Sequence, residues 1–225
     1  MKIDTSGLMF IKRVNNLWAC IFVTFMCPFA LAESVQISDQ FGNPVENVVI
    51  SFTTSEAFNV NPGVVIMDQI DKQFAPQVLV VQKNQTVSFP NSDDIRHHLY
   101  SFSKPKSFEF KMFKGGESKQ LTFDQTGIVV LGCNIHDQMV GYIYVADNEY
   151  TVMTNDQGIA ELPSAELNVK LWHSRLSVNK IERKDVQLGA SDSEQPIPIT
   201  LTLLTDVKAS VKSKFGTDKF SKGNQ

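Results

Sequence analysis

Short runs of Val, Ile, Phe and Tyr, broken every few residues by turn-forming residues, constrain this chain more than any other feature. The runs are 35–38, 48–53, 77–81, 86–90, 98–103, 120–123, 128–131 and 141–146. Between them lie Gly42-Asn43-Pro44, Lys83-Asn84, Gly115-Gly116 and Gln125-Thr126-Gly127. Many short strands at this spacing predict an all-β sandwich or barrel. No helix-period run of useful length appears beyond the N-terminal segment, and residues 107–112 read as a short strand or a turn of helix.

The first residues read as a secretion signal. Lys2, Lys12 and Arg13 give a positive start, residues 17–29 are almost unbroken apolar sequence, and Ala30-Leu31-Ala32 is a small-residue cleavage box before Glu33. The expected location is therefore the periplasm, with an uncleaved anchor as the alternative. Removing residues 1–32 leaves 193 residues, 18 Lys+Arg and 23 Asp+Glu, a net charge of −5. That mild acidity argues against nucleic acid as a partner, and no later run is long and apolar enough to span a membrane.

Removal of the signal takes Cys20 and Cys27 with it and leaves Cys133 alone. An unpaired cysteine in an oxidising compartment must be buried, partnered or metallated. Cys133 opens the run Cys133-Asn134-Ile135-His136-Asp137-Gln138-Met139. A thiolate, an imidazole and a thioether at C-x2-H-x2-M spacing form a soft ligand set that suits copper, and a second histidine would complete a His2Cys–Met centre. His97 or His98 can supply it. Both stand on one predicted strand and so face opposite ways, which leaves room for only one at the metal. Zinc is poorly served by a methionine, and haem-attachment, iron–sulfur and G-x-S-x-G hydrolase patterns are absent.

The stretch from Val87 through Phe89-Pro90-Asn91 to His97 resembles the cupredoxin pattern: an apolar strand, an Asn, a polar loop, then a His opening a new strand. In that family the ligand follows the Asn by six residues, which selects His97 from Asn91. The resemblance gives His98, with Asn91, a supporting place beside the ligands, bracing the Cys133 loop. Residues 127–133 and 139–145 resemble the cupredoxin strands leading to the thiolate and away from the axial ligand. The short ligand loop is similar to that of amicyanin. Val129 and Leu131 depart from that pattern where aromatics are common, as does Arg96 where proline is common.

At finer grain, residues 35–176 resemble bacterial plastocyanin-like proteins named methylamine utilization proteins. The resemblance rests on Met67-Asp68-Gln69, Phe74-Ala75-Pro76, residues 97–103 and 132–139, and Leu171-Trp172-His173. It implies one type 1 copper held by His97, Cys133, His136 and Met139, and a non-enzymatic carrier passing single electrons between protein partners. A copper-binding or delivery protein without redox cycling is the alternative.

The flanks, 35–52 with Gly42-Asn43-Pro44-Val45 and 154–173 with Thr154-Asn155-Asp156-Gln157-Gly158, resemble the two halves of a transthyretin-like or carboxypeptidase-regulatory-like sandwich. The expected organisation is a signal over 1–32, the first part of that sandwich over 33–60, a copper domain over 61–147, the rest of the sandwich over 148–205, and a basic tail over 206–225. A single enlarged sandwich is the alternative. Met67 is read as a core residue, Asp68 as a turn acid and His173 as an exposed or packing histidine.

Overall fold

The computed structural model describes residues 33–53, 63–162, 168–189 and 195–205. The expected signal and basic tail lie outside these residues. Every regular element described is a strand. The fold is all-β, and among the described residues no helix is long and apolar enough to cross a membrane.

The chain begins with β1 (Glu33–Asp39) and β2 (Val49–Phe52). Three short strands follow: β3 (Val65–Ile66), β4 (Asp68–Ile70) and β5 (Gln73–Ala75). Next come β6 (Val78–Gln82), β7 (Gln85–Pro90), β8 (His97–Ser103) and β9 (Lys106–Phe113). β10 (Ser118–Phe123), β11 (Gly127–Gly132) and β12 (Val140–Ala146) complete the middle of the chain. β13 (Tyr150–Met153), β14 (Ile159–Leu162), β15 (Asn168–Trp172), β16 (Lys184–Gln187) and β17 (Ile197–Leu201) close it. The 107–112 segment, left open between strand and helix, is part of β9.

The strands sort into four larger sheets and one small hairpin. The outer strands form β14-β1-β17 and β13-β2-β15-β16; the middle strands form β6-β12-β11-β8-β9 and β10-β7-β3; β4 and β5 pair with each other. β12 runs parallel to β6, and β1 parallel to β17, so crossovers as well as hairpins connect the sheets.

Alternation explains the layering, because successive residues of a strand point to opposite faces. Val35, Ile37, Ile50, Leu162, Leu171 and Leu201 fill a core between the two outer-strand sheets. Val87, Phe89, Leu99, Leu131, Ile143 and Val145 fill another between the two middle-strand sheets. A third apolar layer joins the sandwiches: Val49 and Trp172 from one side meet Val78, Ile128, Tyr142, Tyr144 and Ala146 from the other. β2 and β12 are therefore buried on both faces. In β12, Ile143 and Val145 face the inner core while Tyr142, Tyr144 and Ala146 face the neighbouring sandwich. Within that layer the Ser51 hydroxyl and Tyr144 phenol are hydrogen-bonded at 2.9 Å, which satisfies a buried pair of polar groups.

His173, expected to be either exposed or packed, is buried, and its Nδ1 accepts a hydrogen bond from the Arg175 amide at 3.3 Å. Burial, aided by the charges of Arg175 and Lys180, pushes its pKa down to about 4 from 6.5. The unfolded chain therefore binds a proton here before the folded one does. The resulting stability is complete above pH 6.5 and is lost as the pH falls towards 4, at a cost of roughly 2–3 kcal/mol by pH 4.5. Denaturant unfolding of His173→Gln at pH 7.5 and 4.5 is expected to show a correspondingly smaller difference than the parent. An equal difference would show that other groups set the acid limit.

Candidate metal centre

β8 and β11 are neighbours in the five-stranded sheet, with Gly132 opposite Tyr100, so His97 at the start of one strand meets Cys133 just past the end of the other. The β8–β9 register shifts between His97 and Leu99, leaving one extra residue in β9. Such bulges re-aim side chains beside functional sites. After Cys133 the chain turns tightly, and the Met139 amide donates to the His136 carbonyl at 2.9 Å. That turn returns His136 to the thiol and sends the chain into β12.

The outcome is a compact donor set. Cys133 Sγ lies 3.9 Å from His97 Nδ1 and 3.7 Å from His136 Nδ1. The two imidazole centroids are 5.0 Å apart. His97 is 0% exposed and Cys133 4%, while His136 is partly covered. Met139, 1% exposed, lies in the same buried cluster as Cys133. The three donor atoms of His97, Cys133 and His136 lie within 4.8 Å of one another. With a metal–nitrogen length near 2.0–2.1 Å and a metal–sulfur length near 2.3 Å, a trigonal ion would space N and S by about 3.8 Å. The observed separations fit that, and the donor types fit copper.

The remaining sequence candidates have distinct places. His98 turns to the face opposite His97, as strand alternation requires. Its Nε2 is 2.8 Å from Glu109 Oε1, and its ring lies 5.5 Å from Tyr100. This imidazole is engaged with β9, and its buried Nδ1 has no hydrogen-bond partner. Asn91 organises the loop before His97. Its Nδ2 donates to the carbonyls of Ile95 at 2.9 Å and Phe113 at 3.1 Å, while its Oδ1 accepts the Asp93 amide at 3.1 Å. Met67 is buried in the core cluster that contains Cys133.

Sequence reasoning missed Asp93. Its Oδ2 is 2.6 Å from His97 Nε2, so the same ring presents Nδ1 to the thiol and Nε2 to a carboxylate. Burial raises the Asp93 pKa. The bonds from His97 and the amides of Lys72 and Asp71 outweigh that and hold it below the usual carboxylate range. The available signal was an acid four residues before a candidate ligand, in a loop opened by Asn91.

One sandwich thus places a His–Cys–His set at the end of adjoining strands, with a methionine buried beside it. This is an all-β sandwich with the donor order that the cupredoxin resemblance implies. No family model matches the chain, and no curated protein does. Solved structures that match include a copper-containing nitrite reductase from Thermus scotoductus, at 27% identity and a TM-score of 0.36. The match covers 41% of this chain and 25% of the reductase, so the chain spans about a quarter of that protein's length. A reduced Cu(I) form of an amicyanin variant matches at 20% identity and a TM-score of 0.35, over 45% of this chain and 100% of that one. Amicyanin from Paracoccus versutus matches at 17% identity and a TM-score of 0.35, over 43% and 97% of the two chains.

Proposed function

We propose that this chain is a periplasmic type 1 copper protein that carries single electrons between protein partners, with one copper per chain held by His97, Cys133, His136 and Met139. The observation that carries this reading is the His97–Cys133–His136 set, buried at His97 and Cys133, whose spacing already suits a trigonal metal. Bound copper would supply a one-electron couple. The protein's part is to keep the donors still. Cys133 and His97 are buried on adjoining strands, and the loop to Met139 is closed by its own backbone bond. Ligands fixed in this way have little to rearrange when the charge at the site changes by one.

His136 is the least covered of the three donors and gives the site an edge towards solvent, where a partner can approach. Met139, buried in the same cluster as Cys133, would be a fourth residue holding the metal, and a donor set supplied wholly by the protein supports the reading as a carrier. The N-terminal sequence supports export.

The test is to load residues 33–225 with copper(II) and record visible and EPR spectra. An intense blue absorption with narrow copper hyperfine splitting is expected. A colourless protein with ordinary splitting would mean that Cys133 does not coordinate as argued.

A further inference from the structure

The β4–β5 hairpin turns through two residues, Asp71 and Lys72, with φ of +52° and +59°. Two positive φ values are those of a type I′ turn, which normally recruits Asn-Gly. Here neither residue is glycine, and left-handed backbone costs such residues about 1–2 kcal/mol each. The strain aims two amides at one group. Asp71 N–H donates to Asp93 Oδ1 at 2.7 Å, and Lys72 N–H donates to Asp93 Oδ2 at 3.0 Å.

The same Oδ2 lies 2.6 Å from His97 Nε2. More bonds staple the hairpin to this loop: Ser92 Oγ to Asp68 Oδ2 at 2.7 Å, Ser92 N–H to the Gln69 carbonyl at 2.9 Å, and Gln69 Nε2 to the Pro90 carbonyl at 3.1 Å. From the other side Gly115 packs so closely on the Asp93 carbonyl that a β-carbon there would collide with it.

We infer that Asp93 is the positioning residue of the proposed copper site, and that the β4–β5 hairpin is the frame that holds its carboxylate in place. An ionised carboxylate only accepts hydrogen bonds. Accepting a hydrogen bond from the Nε2–H of His97 therefore selects the tautomer whose Nδ1 lone pair faces Cys133, and it makes the imidazole a stronger donor. Its negative charge also favours the more highly charged oxidation state of a bound copper. This inference rests on the proposed function and assigns a role to a residue outside the ligand set.

The experiment compares the parent protein with Asp93→Asn, Asp93→Ser and the control Asp94→Asn, which removes an exposed charge from the same loop. Affinities for Cu(II) and Cu(I) are measured by chelator competition and the reduction potential by titration, on variants whose apo forms melt cooperatively. Asp93→Asn is expected to weaken Cu(II) binding about 10–100-fold, the usual loss on removing such an outer partner. Cu(I) binding should fall less, and each tenfold difference between the two losses raises the potential by about 59 mV. Asp94→Asn should leave both affinities within about twofold.

Equal losses for the two oxidation states, with the potential unmoved, would reduce Asp93 to a structural residue and overturn the inference. So would unchanged affinities. Asp93→Ser serves the same comparison if Asp93→Asn fails to fold. A parent protein that takes up copper without a blue band would sink the functional reading, and the inference with it. A blue parent indifferent to Asp93 would sink the inference alone.

Discussion

Replacing Cys133 with serine is expected to abolish the blue absorption of the copper-loaded protein. It should also lower copper affinity by more than the roughly 10–100-fold that loss of an outer partner costs. The thiol lies within 4 Å of both imidazole Nδ1 atoms, 3.9 and 3.7 Å away, so it is the common member of both pairs. Serine keeps the size of the side chain but offers a hard, weakly acidic oxygen in place of a soft thiolate. The charge-transfer band has no source without the sulfur. The site is buried and small, so the fold should persist: Cys133 is one member of a large apolar cluster, and loss of a sulfur there resembles a modest core change. Visible spectra and thermal melts of the same sample check both halves. Retained colour would sink the ligand assignment.

The largest effect on stability is expected at Trp172→Ala. Trp172 is 0% exposed and packs edge-on against Tyr142 at 5.6 Å and Tyr144 at 6.1 Å, while its indole N–H donates to the Lys180 carbonyl at 2.9 Å. Truncation removes the largest side chain in the layer between the sandwiches and strands that carbonyl. Buried Trp→Ala changes cost about 3–5 kcal/mol. For a protein of this size that is a fall in melting temperature of roughly 6–20 °C. The copper site should be spared at room temperature, because Trp172 belongs to the layer between sandwiches and not to the core around Cys133. Calorimetry, with copper uptake measured at 25 °C, tests this. A melting temperature within about 2 °C of the parent would show that the layer contributes little.

What could be read from the residues beforehand was what is local or periodic. Cys133, His136 and Met139 lie within one turn, so their convergence needs no knowledge of the fold. The apolar runs that become β7, β8, β11 and β12 announce strands by composition. His97 and His98 are separated by strand alternation, which shows that they diverge but not which one faces Cys133. What was hidden depends on distant pairing. The hairpin from Asp68 to Ala75 has no glycine at its tip, and its turn is held by Asp93, 22 residues from Asp71. Asp93 itself looks like an ordinary loop acid until the hairpin is placed against it. The double burial of β2 was equally hidden, because Val49 and Ser51 find their partners in Trp172 and Tyr144, about a hundred positions away.

The chain leaves the outer sandwich at Phe52 and re-enters it at Tyr150, and these two residues are register partners whose rings stack at 5.0 Å. Strands β3 to β12 therefore depart from and return to neighbouring positions of one strand pair. They also share surface with the outer strands: Val78, Ile128 and Tyr142 rest on Val49 and Trp172. Separating the two would carry that apolar face into water, so each sandwich is expected to lose stability without the other.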